Sequence, residues 1–400
     1  MAGAPGNEVR VSRSQVTLRS AEDASRWLEI LSENPEGPDT VYGLHVSGVE
    51  SLSSLLAWPK LENLRHLELR GIDFRESQEP LTPFFDVYGL SIDELVLEGL
   101  RFQEVDELLV LISPFKNLTS LVIHDVEWGN EEFLDDDGAE SSSESESEDE
   151  THKHTMQPGD CCSIANAGSH PVGDTDIDLP TLKHLSLRGC CSGVARHLMR
   201  VSSGLGLSRL EISWEDEHLL PLGEMIEACA PSLSELSISG VFHTGRCYEL
   251  KRPVVPQSDF VLFIECDYSL SLQSCTRLSS LFLNGIHLFL DEPLGPALHH
   301  LASTLPTAAD SEVSRSVNVC FTLDVGQAWE SRIDDIDWGA AGMALTSLES
   351  RLDSDKDHWS VTVGVDSSHL AISEDEERRI FDVAGQKLER FSSVLRLDIC

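Results

Sequence analysis

One arrangement of apolar and polar positions recurs seven times along the chain: an aliphatic residue, two positions, leucine, one position, an aliphatic, and in most copies x-Gly with a further apolar residue. It reads Leu64-x-x-Leu67-x-Leu69-x-Gly71-Ile72, Ile92-x-x-Leu95-x-Leu97-x-Gly99-Leu100, Leu118-x-x-Leu121-x-Ile123-x-Asp125-Val126 and Leu182-x-x-Leu185-x-Leu187-x-Gly189-Cys190. It continues as Leu207-x-x-Leu210-x-Ile212, Leu233-x-x-Leu236-x-Ile238-x-Gly240-Val241 and Leu278-x-x-Leu281-x-Leu283-x-Gly285-Ile286. Alternating apolar positions put two side chains on one face of a short strand, and the glycine supplies the turn that ends it. A single copy has too little apolar surface to form a core, so each strand must stack on its neighbours.

The spacing of the central leucine sets the unit. Leu67 to Leu95 is 28 residues, Leu95 to Leu121 is 26, Leu185 to Leu210 is 25 and Leu210 to Leu236 is 26, within the roughly 20–29 residues of leucine-rich repeats. Helical patterns lie between the strands: Ala21–Leu31 opens on Ser20 in capping style, and Glu104–Ile112 and Leu219–Ala230 are apolar on one face. The expected fold is therefore α/β, a leucine-rich-repeat solenoid with a curved parallel sheet on its concave side and helices on its convex side. Beyond Ile286 the phrase fades, but its ingredients persist. They are an alternating strand over Val317–Leu323, a helix over Trp338–Leu352, a strand over Val361–Val365, a capped helix from Ser373 to Phe391 and a last apolar run over Leu395–Ile399. The chain divides into an N-terminal lead-in and capping helix (1–40), repeats (41–129), an acidic insertion (130–178), further repeats with a loop insertion near 242–258 (179–290), and degenerate C-terminal repeats with a cap (291–400).

The two insertions follow from intervals that are too long, 64 residues from Leu121 to Leu185 and 45 from Leu236 to Leu281. The first contains Asp135–Asp137 and the Ser141–Glu150 run of serines and acids, without the apolar period that would offset the entropy of ordering it, so disorder is expected. Its serines 141, 143, 145 and 147 each have an acid three positions on, which suits an acidophilic kinase as well as it suits a solvated spacer. Formal net charge is −40. That sign repels phosphate backbones and anionic lipid, so the expected partners include no nucleic acid and no membrane. No stretch approaches the ~20 apolar residues of a membrane-spanning helix, the first five residues lack the features of a signal peptide, and the ten cysteines show no disulfide framework. A cytoplasmic or nuclear location with reduced thiols is the expectation.

Chemistry-bearing motifs are scarce. His152 and His154 with the adjacent Cys161 and Cys162 fit no standard zinc-ligand spacing, and no phosphate-binding loop, nucleophile elbow or zincin helix is present. The expectation is a protein that is not an enzyme, with no catalytic residue, no cofactor and no metal. Sheet geometry nominates a surface instead. Residues between the buried leucines point to the concave face, and of these Arg70, His124, Arg188, Arg209 and Phe282 are candidate partner-binding residues. The arginines could anchor a partner's carboxylate or phosphate; alternatively they pair with Glu68, Glu98 and Glu211 on neighbouring strands.

The phrase Leu61-Glu-Asn-Leu64-Arg-His-Leu67-Glu-Leu69-Arg-Gly71-Ile-Asp-Phe74, echoed by Gly99-Leu-Arg-Phe102 and Asp125-Val-Glu-Trp128, resembles the repeat region of fungal F-box/leucine-rich-repeat proteins. The Val16–Leu31 stretch is similar to the segment that follows the F-box there. The resemblance spans about Val9 to Ile399 and implies a surface that recognises a protein. An F-box, the helical module that docks a Skp-type adaptor, is longer than the 15 residues ahead of Val16, so association with adaptor and cullin is not expected from this sequence. Leu220-Pro221-Leu222 imitates the start of such a module but sits in phase between two repeats, where a convex-face helix is expected. The functional expectation is an interaction module that binds a protein of unknown identity; the alternative is a substrate receptor of an SCF-type ubiquitin ligase.

Overall fold

A computed structural model of the 400-residue chain describes residues 14–34, 37–47, 58–75, 82–129, 181–189, 192–201, 205–213, 219–239, 270–287, 294–311, 313–324, 338–366 and 373–399. The acidic insertion, the 242–258 loop and the pairs Cys161-Cys162 and Cys190-Cys191 lie outside the described residues.

The first half contains β1 (Ser14–Leu18), α1 (Ala21–Glu33), α2 (Gly37–Thr40), β2 (Val41–Ser47), β3 (His66–Arg70), α3 (Thr82–Tyr88) and β4 (Glu94–Glu98). The short β5 (Arg101–Phe102) follows, then α4 (Val105–Ile112), β6 (Ser120–His124), the short β7 (Glu127–Trp128) and β8 (His184–Arg188). The second half contains α5 (Ser192–Val201), β9 (Arg209–Ser213), α6 (Leu219–Cys229), β10 (Glu235–Ser239), β11 (Ser280–His287) and α7 (Leu294–Thr304). It ends with β12 (Ser316–Asp324), α8 (Trp338–Glu349), β13 (His358–Asp366), α9 (Glu374–Lys387) and β14 (Leu395–Ile399).

Twelve of these strands form one sheet in the order β1-β2-β3-β4-β6-β8-β9-β10-β11-β12-β13-β14, and every pair is parallel. Spatial order therefore equals chain order, and each connection returns the chain to the same end of the sheet. Register is kept by the repeated leucines. Leu44, Leu67, Leu95, Leu121, Leu185, Leu210, Leu236 and Leu281 face one another in a single row. Val46, Leu69, Leu97, Ile123, Leu187, Ile212, Ile238 and Leu283 form a second, parallel row. Both rows are buried and belong to one core that runs from Val16 to Phe391. Burying each such side chain stabilises the fold by roughly 1.5–3 kcal/mol.

Helices supply the other side of this core. Leu108, Leu109, Leu111 and Ile112 of α4, Val194, Ala195 and Leu198 of α5, and Leu222, Met225, Ile226 and Cys229 of α6 are all buried in it. The stretch that imitates an F-box start is thus a core helix. Ser20 caps α1 by accepting from the Asp23 amide at 3.2 Å, and Ser373 with Glu376 makes the reciprocal capping box of α9.

The x-Gly position, or Asp125 in its place, ends β3, β4, β6 and β8 as the phrase predicts. Gly71, Gly99, Gly189 and Gly285 all have φ between 60° and 69°, and Asp125 occupies the same position at φ 51°. The left-handed conformation is free for glycine and tolerable for aspartate. It lets the amides of Gly71, Gly99 and Asp125 reach across to the carbonyls of Glu98, His124 and Arg188 at 2.9–3.0 Å. Three aromatic residues follow at equivalent places. Phe74, Phe102 and Trp128 stack at 4.9 and 5.8 Å between ring centroids, the last two from the paired strands β5 and β7 of the two-stranded sheet. At Gly285 the expected turn does not occur: Ile286 and His287 continue β11 and pair with Phe321 and Thr322 after a register shift. β1, β2 and helices α3, α5 and α7 add to the elements expected from the sequence. β12, β13 and β14 join the same sheet as the preceding strands.

Candidate functional site

The second face of the sheet is lined by the residues between the leucines. Its central row runs His45, Glu68, Val96, Val122, Ser186, Glu211, Ser237, Phe282 and Asn318, strand by strand in register. Most of these side chains keep part of their surface in solvent, but Glu68 and Ser186 are buried. Strand pairing brings chemistry together that is far apart in the chain.

Two glutamate-centred clusters result, separated by the apolar pair Val96 and Val122. In the first, Glu68 is contacted on one oxygen by the Arg70 guanidinium and on the other by His45 Nδ1, with His66 Nε2 at 3.7 Å. Arg70 also reaches Glu98 at 3.1 Å, and His66 Nδ1 lies 3.0 Å from Glu94. Burial alone would raise the Glu68 carboxyl, yet His45 and Arg70 hold it below its ordinary value. His45, His66 and Glu68 present donor atoms all within 4.8 Å of one another, a set that could hold a metal ion.

The second cluster is built around Glu211. Arg209 donates to it at 2.5 and 2.9 Å and reaches Glu235 at 3.3 Å, while Arg188 approaches at 3.6 Å. The Ser186 hydroxyl donates to Glu211 at 3.3 Å, which leaves its oxygen to accept from His124 Nε2 at 3.1 Å. His184 Nδ1 meets Ser120 at 2.9 Å, and its Nε2 stands 3.6 Å from Glu211. Burial would raise the Glu211 carboxyl, and the Arg209 hydrogen bonds and charge turn that into a net lowering. Burial depresses both imidazoles; in His124 the Arg188 charge adds to it, and in His184 the Arg209 charge does.

The five candidate residues are distributed accordingly. Arg70 belongs to the first cluster; His124, Arg188 and Arg209 converge in the second. Phe282 stands apart on β11 between Ser237 and Asn318. All three arginines are ion-paired to glutamates yet remain about half exposed. Elsewhere, burial pushes the Cys229 thiol up to about 12 and the Cys275 thiol up to about 11, which keeps both protonated at neutral pH.

His45 is the residue that sequence reading passed over. Its strand reads Val41-x-x-Leu44-x-Val46-x-Gly48-Val49, an eighth copy of the phrase that begins on valine in place of leucine. Recognising that copy would have set His45 beside Glu68. Among the described residues, no helix is long and apolar enough to cross a membrane. Compared with known proteins, the chain matches no family model and no curated sequence.

Proposed function

We propose that the chain is a leucine-rich-repeat solenoid acting as a non-enzymatic interaction module, and that the open face of its sheet recognises a protein partner. The observation that carries this reading is the central row itself: an apolar step at Val96 and Val122 flanked on both sides by charged clusters whose arginines remain half exposed. Apolar centres with polar rims are how protein interfaces divide their work, and paired arginines retain N–H donors for a second carboxylate. The net charge of −40 supports a protein partner over nucleic acid or an anionic membrane.

The reading as a substrate receptor of an SCF-type ubiquitin ligase rests on the resemblance. It is favoured by one observation, the stacking of Phe74, Phe102 and Trp128, the residues that echo one another in the resembling phrases. A direct titration with purified Skp-type adaptor and cullin separates the two readings, since the module alone should not bind them.

Photo-crosslinking tests the proposal. A photoreactive phenylalanine at Val122, on the open face, should give discrete protein adducts in cells, and one at the exposed Val110 of α4 should not. Adducts at Val110 alone, or at neither position, would place the recognition surface elsewhere or remove it.

A further inference from the structure

We propose that His45, His66 and Glu68 form a three-ligand site for a divalent transition metal of the zinc class. The reading goes beyond protein recognition, and its test needs no partner.

The donor set is the first argument. Two imidazoles and a carboxylate suit zinc and its neighbours, and three protein ligands leave a fourth position open. Donors around a tetrahedral zinc at about 2.0–2.2 Å stand roughly 3.3–3.6 Å apart. The present donors lie within 4.8 Å of one another, and His66 Nε2 is 3.7 Å from the Glu68 carboxylate. The three ligands stand on two adjacent strands, so side-chain rotation alone can bring them around a metal.

The surrounding hydrogen bonds are the second argument. Glu94 stands 3.0 Å from His66 Nδ1, placed to accept a hydrogen bond from an Nδ1–H; in that tautomer of the neutral ring Nε2 carries the lone pair a metal needs. That Nε2 is buried and has no hydrogen-bond partner. A carboxylate behind an imidazole whose other nitrogen is aimed, unpaired, at a second carboxylate is the arrangement that orients ligating histidines in metal sites. Arg70 engages one Glu68 oxygen and leaves the other to the metal, as ligating carboxylates are commonly held. The carboxylates also suit a divalent ion: Glu68, Glu94 and Glu98 surround the site, and Arg70 is the guanidinium that faces two of them.

The second cluster serves as an internal control. There the register partner of Glu211 is Ser186 where Glu68 has His45, and the position of His66 is taken by Arg209. One imidazole and two guanidiniums around a glutamate cannot hold a cation.

The test is titration of the metal-stripped full chain with Zn2+ by calorimetry and with Co2+ by visible absorption. Wild type should bind one equivalent tightly, with the d–d bands of four- or five-coordinate Co2+ and without thiolate charge transfer, which sets the site apart from any cysteine site. His45→Gln and His66→Gln should each weaken this event at least 100-fold. Glu94→Gln, a change to a positioning residue, should weaken it about 10- to 100-fold while preserving the Co2+ spectrum, and Glu211→Gln should leave it unchanged. The far-ultraviolet circular dichroism of each variant checks the fold; should His66→Gln not fold, His45→Gln, on the more exposed ligand, decides. Equimolar binding that survives in His45→Gln, or a wild type that binds no equivalent tightly, overturns the proposal.

Discussion

Half-buried imidazoles and a half-buried carboxylate make the stability of this protein sensitive to acid in two steps that begin at different pH. His124 and His184 titrate below their ordinary 6.5 because burial disfavours the charged ring. As pH falls, the unfolded chain takes up those protons first, so the stability from the neutral rings is complete above about 6.5 and is lost as pH falls from there through the depressed folded values. Glu211, also depressed, contributes above its ordinary 4.5 and loses that contribution as pH falls through its lowered folded value. Urea melts across pH should therefore show two successive losses of stability. His124→Gln/His184→Gln should flatten the upper one and Glu211→Gln the lower one. Profiles that do not change in these variants would show that the clusters are not linked to folding.

At the scale of the element, the turn after β3, β4, β6 and β8 is as much a part of the recurring phrase as its leucines. Gly71 has φ 60°, and a Cβ built there meets nothing within 4 Å, so Gly71→Ala isolates the conformational cost from any clash. The expected loss is about 1–2 kcal/mol, the penalty of a left-handed alanine, measured by chemical denaturation; a neutral result would mean that the turn relaxes. Such strands were legible in the sequence because leucine, alternation and glycine coincide in them, and they set the buried rows down to the register of Leu67 with Leu95. β2 escaped because Val41 replaces the leading leucine, and α3 because seven residues are too few for a helical period to declare itself. The clusters on the open face were legible only as a ladder of candidates. Which arginine meets which glutamate depends on rotamers across strands, and pattern alone does not carry that. The run Ser280–His287 shows the opposite failure, a turn signal overridden when pairing with β12 continued past Gly285.

For the molecule as a whole, the row of leucines couples neighbours and little else. Leu210 is fully buried between Leu185 and Leu236, so Leu210→Ala should cost about 2–5 kcal/mol through lost transfer energy and the cavity left behind. Because strands pair only with those beside them, amide hydrogen exchange should quicken most in β8, β9 and β10 and least in β1 and β14, the edge strands far from Leu210. Uniform acceleration would indicate a single cooperative unit.

The identity of spatial order and chain order also bears on how the protein is made. A nascent chain emerging from the ribosome can lay each new strand against the one completed just before it, with no need to wait for a distant partner. The longest closure lies between β6 and β8, where the 64 residues from Leu121 to Leu185 must be synthesised before the growing edge can advance. Until then β6 ends the sheet with its hydrogen-bonding groups unpaired, the kind of edge at which strands of other chains add. Among the described residues the twelve-stranded sheet has its edges at β1 and β14; during synthesis the open edge travels along the molecule and dwells longest at its acidic insertion, whose charge keeps like chains apart.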